Sequence, residues 1–256
     1  MNIYVCVKHV PDSAANIVVK DGNRIDDKVS FLLNPYDEHA VTEAVLLRNH
    51  LGQGEVIAVS LGTEDVEKTL RSAMAMGADR SILVKTDNQK DSIFTARALK
   101  AAIEQDGCPT IIFTGRESID MEGMQTMFRL GAAFDFPVAS NVIKFTPQGD
   151  RATVETQTEG GGKNIYDLSM PCVLGVGRGL NTPSYPTFPD VVKARKKEVK
   201  ILETKDLDIS PSPSTMSLIS LEPFAQKRRA QEITGTPTEQ AQTLVKILRD
   251  EAKVLN

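Results

Sequence analysis

Short, unbroken apolar runs alternate with helical stripes through the first half of this chain, and that alternation fixes most of what it can fold into. Residues 3–10 are rich in β-branched side chains, and 56–61, 81–85 and 110–114 are further strand-like runs. Residues 35–50 carry Ala40, Val41, Ala44, Val45 and Leu47 on one helical face, and Gly52 supplies a stop. Thr63 opens a second helix with Glu64 and Asp65 in its first turn, where acidic groups suit the helix dipole, and Gly77 follows its end. Asp91 or Ser92 caps a third helix through Ile103, with Gly107 as its stop, and residues 125–134 form a fourth. Continuous apolar strands separated by helices make a parallel sheet covered on both faces. Ligands of such sheets sit beyond the C-terminal strand ends, at a topological switch point. Residues 8–12, 60–62 and 115–126 therefore converge.

The pattern changes after Pro137. Residues 138–146, 151–159 and 163–168 read as strands joined by the turns 147–150 and 159–162, antiparallel additions to the same sheet, and 173–176 is one more core strand. From Gly177 the chain stops looking globular. Three prolines (Pro183, Pro186 and Pro189) interrupt it, and residues 210–214 read as a linker. The tail ends in a helix that starts at Thr236-Pro237-Thr238-Glu239, a capping box with proline at the first helical position. Its stripe of Ala241, Leu244, Val245, Leu248 and Ala252 packs either on its own domain or on a partner. The fold class is α/β: a mostly parallel, doubly wound sheet of the adenine-nucleotide-binding type, with antiparallel additions and an extended C-terminal arm.

Composition removes several function classes. A net charge of −4 argues against a nucleic-acid binder. Cys6, Cys108 and Cys172 are scattered, so neither a zinc nor a disulfide framework is expected, and three histidines leave little for a metal site or a triad. No apolar run reaches the ~18 residues of a membrane span. With no leader pattern at the start, the expected compartment is the cytoplasm.

Two glycine clusters are decoys. Gly175-Val176-Gly177-Arg178-Gly179-Leu180 lacks the third dinucleotide-binding glycine, and Gly160-Gly161-Gly162-Lys163 lacks the rest of a P-loop and suits a hairpin turn. The segment 115–126 leaves a strand and enters a helix, so its backbone N–H groups and the Thr126 hydroxyl can form an anion site. A plain β–α connection, capped by Asp120 or Thr126, explains it slightly better on the residues alone. Asn34-Pro35-Tyr36-Asp37-Glu38 reads as a helix start with acidic residues in the first turn, and His39 as an inert helix-face residue. The basic run 193–197 reads as a solvated face.

Taken in order, the stretches 7–12, 34–41, 75–80, 115–120, 125–126, 180–185, 192–197 and 217–221 resemble the electron-transfer flavoprotein β subunit, nearly end to end. The resemblance implies a heterodimer with a larger α subunit, which holds most of a FAD. That FAD carries electrons from acyl-CoA or other flavin dehydrogenases, as in fatty acid β-oxidation, to a quinone oxidoreductase or another acceptor. It implies an AMP without redox role in this chain, surrounded by Cys6, Asn34, Pro35, Tyr36, Asp37, Leu61, Gly115, Ser118, Asp120, Met121, Met124, Gln125 and Thr126. Tyr36 would lie near the partner's flavin, and the phosphate at the start of the Gln125 helix. The loop 184–193 resembles a recognition loop, with Phe188 as its apolar anchor, Ser184, Tyr185 and Pro189 around it, and Lys193 and Lys196 biasing partner choice. The implied organisation is a nucleotide-binding domain over 1–182, a recognition loop and basic strand over 183–200, and an arm over 201–256 on the α subunit. Met121 and Met124 stand where the family often has polar residues, and Thr182 and Ser184 where an acidic residue and an arginine are common. The alternatives are an electron-bifurcating relative with a second FAD in place of AMP, an adenine-nucleotide hydrolase or ligase, and an adenylate sensor. No acid–base catalytic residue and no metal are expected.

Overall fold

The computed structural model describes residues 1–26, 28–87, 90–209, 215–222 and 232–255. The linker expected over 210–214 lies outside them. Two compact units divide the chain, Met1–Leu221 and Glu222–Asn256.

The first unit starts with β1 (Asn2–Cys6), β2 (His9–Pro11), β3 (Val19–Lys20), β4 (Arg24–Ile25) and β5 (Phe31–Leu33). There follow α1 (Pro35–Leu51), β6 (Glu55–Gly62), α2 (Val66–Ala75), β7 (Arg80–Lys85), α3 (Ser92–Asp106), β8 (Pro109–Gly115) and α4 (Thr126–Phe134). After these come β9 (Val138–Gln148), β10 (Arg151–Gln157), β11 (Lys163–Ser169), β12 (Val173–Val176), α5 (Phe188–Ala194) and β13 (Val199–Glu203). Among the described residues, nine strands form the main sheet in the order β11-β10-β9-β12-β8-β1-β6-β7-β13. All neighbours from β9 to β13 in that order run parallel, and β10 is antiparallel to both β9 and β11.

Side chains alternate between two cores, as the strand period of two requires. Ile3 and Val5 face a core with Ala40, Val41, Ala44 and Leu47 of α1 and with Leu70 and Met74 of α2. Tyr4 and Cys6 face the opposite core, with Leu99 and Ile103 of α3 and with Met127 and Leu130 of α4. Each such aliphatic side chain, fully buried, contributes about 1.5–3 kcal/mol.

Four expectations are corrected. The run 3–10 is two strands: β1 ends at Cys6, and β2 pairs with β5 in a separate small sheet. Helix α2 begins at Val66 rather than Thr63, because Thr63 O accepts the Val66 N–H at 3.1 Å and closes a turn first. Strand β9 is parallel to β12, so the antiparallel character belongs to the β9–β10 and β10–β11 pairs alone. Past Gly177, residues 188–203 are structured, since β13 extends the main sheet beside β7 and α5 packs on α2 through buried Ala194. A seven-residue helix and a half-exposed edge strand are too short to show periodicity.

The rejected glycine cluster has a packing explanation. A Cβ on Gly175 would come within 2.0 Å of Met127 Sδ, and one on Gly177 within 2.4 Å of Asn141 Oδ1. In the second unit, Thr236 and Glu239 form the capping box of α6 (Pro237–Lys246), none of whose residues is buried. No helix among the described residues is long and apolar enough to cross a membrane.

Candidate functional site

The chain runs from β1 through α1, β6, α2 and β7 on one side of β1, then returns by α3 to β8 on the other. The switch point therefore lies beyond Cys6 and Gly115, the last residues of β1 and β8. Buried Asp37, in the first turn of α1, bridges it. Its Oδ2 accepts the Lys8 N–H at 2.7 Å and its Oδ1 accepts the Gly115 N–H at 2.9 Å. Only glycine fits at 115, because a Cβ there would lie 2.3 Å from Asp37 Oδ1 and 2.7 Å from Tyr36 Cβ.

Asn34 precedes α1 without capping it, because its side chain is engaged elsewhere. Its Nδ2 donates to Glu117 O at 2.9 Å and its Oδ1 accepts the Ile119 N–H at 3.2 Å. Its own N–H donates to Lys8 O at 3.0 Å. One buried side chain thus ties the end of β1 and the start of α1 to the loop after β8. Lys8 adds a second tie: Nζ lies 2.7 Å from both Asp120 oxygens and 3.2 Å from Ser118 Oγ. This bridge is too exposed to add more than about 1 kcal/mol. Its effect is to hold the loop in place.

Beyond Asp120 the loop is strained. Glu122 and Met124 both adopt left-handed φ, at 48° and 50°. Such backbone costs about 1 kcal/mol or more per non-glycine residue and gathers at functional sites. It delivers the chain into α4 with Gln125 at the N-cap, whose side chain makes no capping bond. Gln125 Oε1 instead accepts from Ser92 Oγ and Arg129. Among the described residues no side chain accepts from the first N–H groups of α4, beginning at Thr126, and free N–H groups at a helix start are the arrangement that binds anions. Met121 and Met124 are exposed on the same loop.

The other expected residues are placed around this centre. Cys6 is buried, and burial, helped by the Asp37 charge, pushes its thiol up to about 12, so it acts as an apolar wall. Pro35 is the first residue of α1. Leu61 lies on β6 in the α3–α4 core. Tyr36 carries two guanidinium groups against its ring, Arg116 at 5.1 Å and Arg178 at 5.3 Å from the centroid. Lys8, Arg116 and Arg178 carry no local signal in the sequence; Lys8 meets an Asp120 that is 112 residues away.

Burial also pushes the Asp37 carboxyl up to about 7, outweighing the hydrogen bonds from Lys8, Asn34 and Gly115, which favour the anion. In the unfolded chain it titrates near 3.8, so between these pH values the folded state holds a proton that the unfolded state lacks. Its contribution to stability is complete below the lower value and is lost as pH rises through the upper one. The span corresponds to about 4 kcal/mol. Asp37→Asn is expected to flatten this fall in chemical-denaturation curves between pH 5 and 8, scanned at about half-unit steps. An unchanged slope in the variant would refute the assignment. The variant also loses one of the two backbone acceptors, at about 1 kcal/mol.

The segment expected to dock partners starts anchored. Asn181 Nδ2 donates to His39 O at 3.0 Å and to Glu43 Oε2 at 2.8 Å, and the Ser184 N–H donates to Thr42 Oγ1 at 3.3 Å. The His39 ring is satisfied as expected, with Nδ1 3.1 Å from Asn181 Oδ1. The loop expected over 184–193 is helical in its second half. Thr187 and Asp190 form a capping box, Pro189 sits in the first turn, and Phe188 is the first residue of α5. Phe188 is 80% exposed and Tyr185 85%. Lys193 and Lys196 are exposed too, whereas Lys197 is not a solvated charge: its Nζ donates to Met74 O at 3.0 Å and Ala78 O at 2.6 Å.

The fold is thus a doubly wound α/β sheet with a braced loop at its switch point and an anchored, exposed apolar helix start. Residues 23–207 match the family model described as the electron transfer flavoprotein domain. The chain is 34% identical to the electron transfer flavoprotein subunit beta of Bacillus subtilis, with 100% of both chains covered. It is 33% identical to that of Mus musculus, covering 98% of this chain and 97% of the relative, and 32% identical to that of Homo sapiens, covering 99% of each. The chain belongs to the electron transfer flavoprotein β-subunit family.

Proposed function

We propose that this chain is the small, non-catalytic subunit of a heterodimeric electron-transfer flavoprotein and binds AMP as a structural nucleotide at the β1–β8 switch point. The observation that carries this reading is the uncapped start of α4 at the end of a loop braced by Asn34, Asp37 and Lys8. These residues fit a nucleotide monophosphate. The first N–H groups of α4 would take the phosphate, glycine at 115 lets the strand end approach α1, and the Cys6 wall is apolar. Residues 115–120 and 34–37 would surround the nucleoside. The loop has no lysine following a glycine and no gathered carboxylates, so a triphosphate cradle is disfavoured.

The larger subunit would hold most of a FAD, which supplies the electron-transfer chemistry when bound. This chain's part is to bind and orient. Tyr36, with Arg116 and Arg178 against its ring, faces that partner, and the arm that begins after Leu221, rather than at 201, wraps it. Phe188, Tyr185 and Pro189, with Ser184, Lys193 and Lys196 around them, dock acyl-CoA or other flavin dehydrogenases in the cytoplasm, and electrons leave to a quinone oxidoreductase or another acceptor.

The test is to co-express the chain with the α subunit encoded beside it, denature the complex and count the released nucleotides. One FAD and one AMP per complex are expected. Two FAD and no AMP would replace the AMP assignment by the electron-bifurcating one. ADP or ATP without flavin would overturn the carrier reading.

A further inference from the structure

Beside the docking segment the surface holds a cleft of about 260 Å³, lined chiefly by Phe31, Glu38, Met76, Pro183, Tyr185 and Pro186. Its walls combine the Phe31 and Tyr185 rings and the Met76, Pro183 and Pro186 side chains with the polar side chains of Ser72 and Ser184. Phe31 is held in place: the His9 ring stacks on it at 4.6 Å and 13°, and His9 Nδ1 lies 2.6 Å from Thr69 Oγ1. Burial lowers the His9 pKa, which disfavours a charged imidazole behind this wall. Among the described residues, Glu38 is the only formal charge lining the cleft. It is half-buried, and among the described residues its carboxylate has neither an ion-pair nor a hydrogen-bond partner. Burial raises the Glu38 pKa, and no neighbouring cation offsets it. A half-buried carboxylate without a partner of its own is the group that a cation from outside would satisfy.

We propose that this cleft is a docking socket for an arginine side chain of the same partner protein that Phe188 engages. Charge complementarity demands a cation, and the aromatic walls demand one with flat apolar faces. A guanidinium stacks on tyrosine and phenylalanine while its fork meets a carboxylate, and it sheds water more readily than an ammonium. The occupant comes from a docked protein because the cleft is continuous with the anchor. Pro186 lines it, and two residues on, Phe188 stands 80% exposed at the start of α5. A protein that covers Phe188 would meet the wall of the cleft at Pro186, two residues away in the chain. The socket adds to a hydrophobic anchor the one contact that fixes the partner's orientation. Positively charged Lys193 and Lys196, on the far side of Phe188 in the chain, would reject an arginine and attract an acidic group.

The inference rests on the docking reading, and the test separates the two. The assembled heterodimer is titrated with N-acetyl-arginine amide and with its neutral citrulline counterpart, following chemical shifts. Saturable binding of the arginine amide alone is expected, weakened about tenfold by Glu38→Gln and unchanged by Phe188→Ala. Equal binding of the two amides, no effect of Glu38→Gln, or no saturable binding overturns the socket; in the last case another part of the heterodimer fills the cleft. With an acyl-CoA dehydrogenase as donor, Glu38→Gln is expected to raise KM about tenfold at low salt with kcat unchanged. If Phe188→Ala raises KM and Glu38→Gln does not, docking stands and the socket falls. If the amide binds as expected but neither variant alters KM, the docking reading fails and with it the assignment of the arginine to that partner.

Discussion

Gly115→Ala is expected to release the bound nucleotide and to lower the melting temperature of the heterodimer by about 10 °C, a loss near 3 kcal/mol. The cause is local and does not depend on glycine's backbone freedom. A methyl group at 115 would lie 2.3 Å from Asp37 Oδ1, 2.7 Å from Tyr36 Cβ and 3.1 Å from Asp37 N. The last of these belongs to helix backbone, so α1 must shift or the strand end must move outward. Either movement breaks the bonds from Lys8 N–H and Gly115 N–H to the Asp37 carboxylate. It also loosens Asn34, three residues earlier, whose hold on Glu117 and Ile119 sets the loop. The control is Gly123→Ala in the same loop, where an added Cβ meets nothing within 4 Å. That variant should keep both nucleotide and stability. If Gly115→Ala retains a full equivalent of AMP and melts with the wild type, the Asp37 bridge does not shape the site.

The contrast between 115 and 123 shows what the sequence could reveal. The βα alternation is written in local pattern, so α1, α3, α4 and the central strands were legible to within a few residues. Gly115 was legible too, as the end of a buried strand. The reason for it was not, because the atoms that forbid a side chain belong to Tyr36 and Asp37, far away in the chain. Asp37 and Glu38 show the same limit. Both sit in the first turn of α1, and both read as dipole-complementing residues. One is buried and bridges two strand ends, and the other opens into a cleft; the difference depends on β8 and on residues 183–186. Past Gly177 local pattern failed in the other direction. Residues 188–194 and 199–203 have little intrinsic periodicity, and α2 and β7 decide their structure by offering a surface and an edge. Arg71 donates to Ala194 O at 2.9 Å and to Lys197 O at 2.6 Å, so an arginine of α2 holds the end of α5.

That anchoring is what makes Phe188→Ala the second large effect. A phenylalanine 80% exposed contributes almost nothing to the stability of its own fold, so the variant should melt with the wild type. Its position is nevertheless fixed. Thr187 and Asp190 cap the helix it begins, Pro189 restricts the next backbone angle, and α5 is held at its far end by Arg71 and by Ala194 in the core. A large apolar side chain presented on a pre-ordered element loses little entropy on docking. Filling a partner's pocket with it is worth about 2 kcal/mol or more, so truncation should weaken dehydrogenase binding about 30-fold, seen as a higher KM with kcat unchanged at saturation. Lys193→Ala and Lys196→Ala act differently. They lie at the exposed rim, and removing them should lower the salt dependence of association more than the affinity. Two results would overturn the anchor. A fall of several degrees in melting temperature on Phe188→Ala would mean that the ring covers its own subunit. An unchanged KM with a folded variant would move the docking surface elsewhere on the heterodimer, and the ordering of residues 187–194 would then serve only to close the edge of the sheet beside β7.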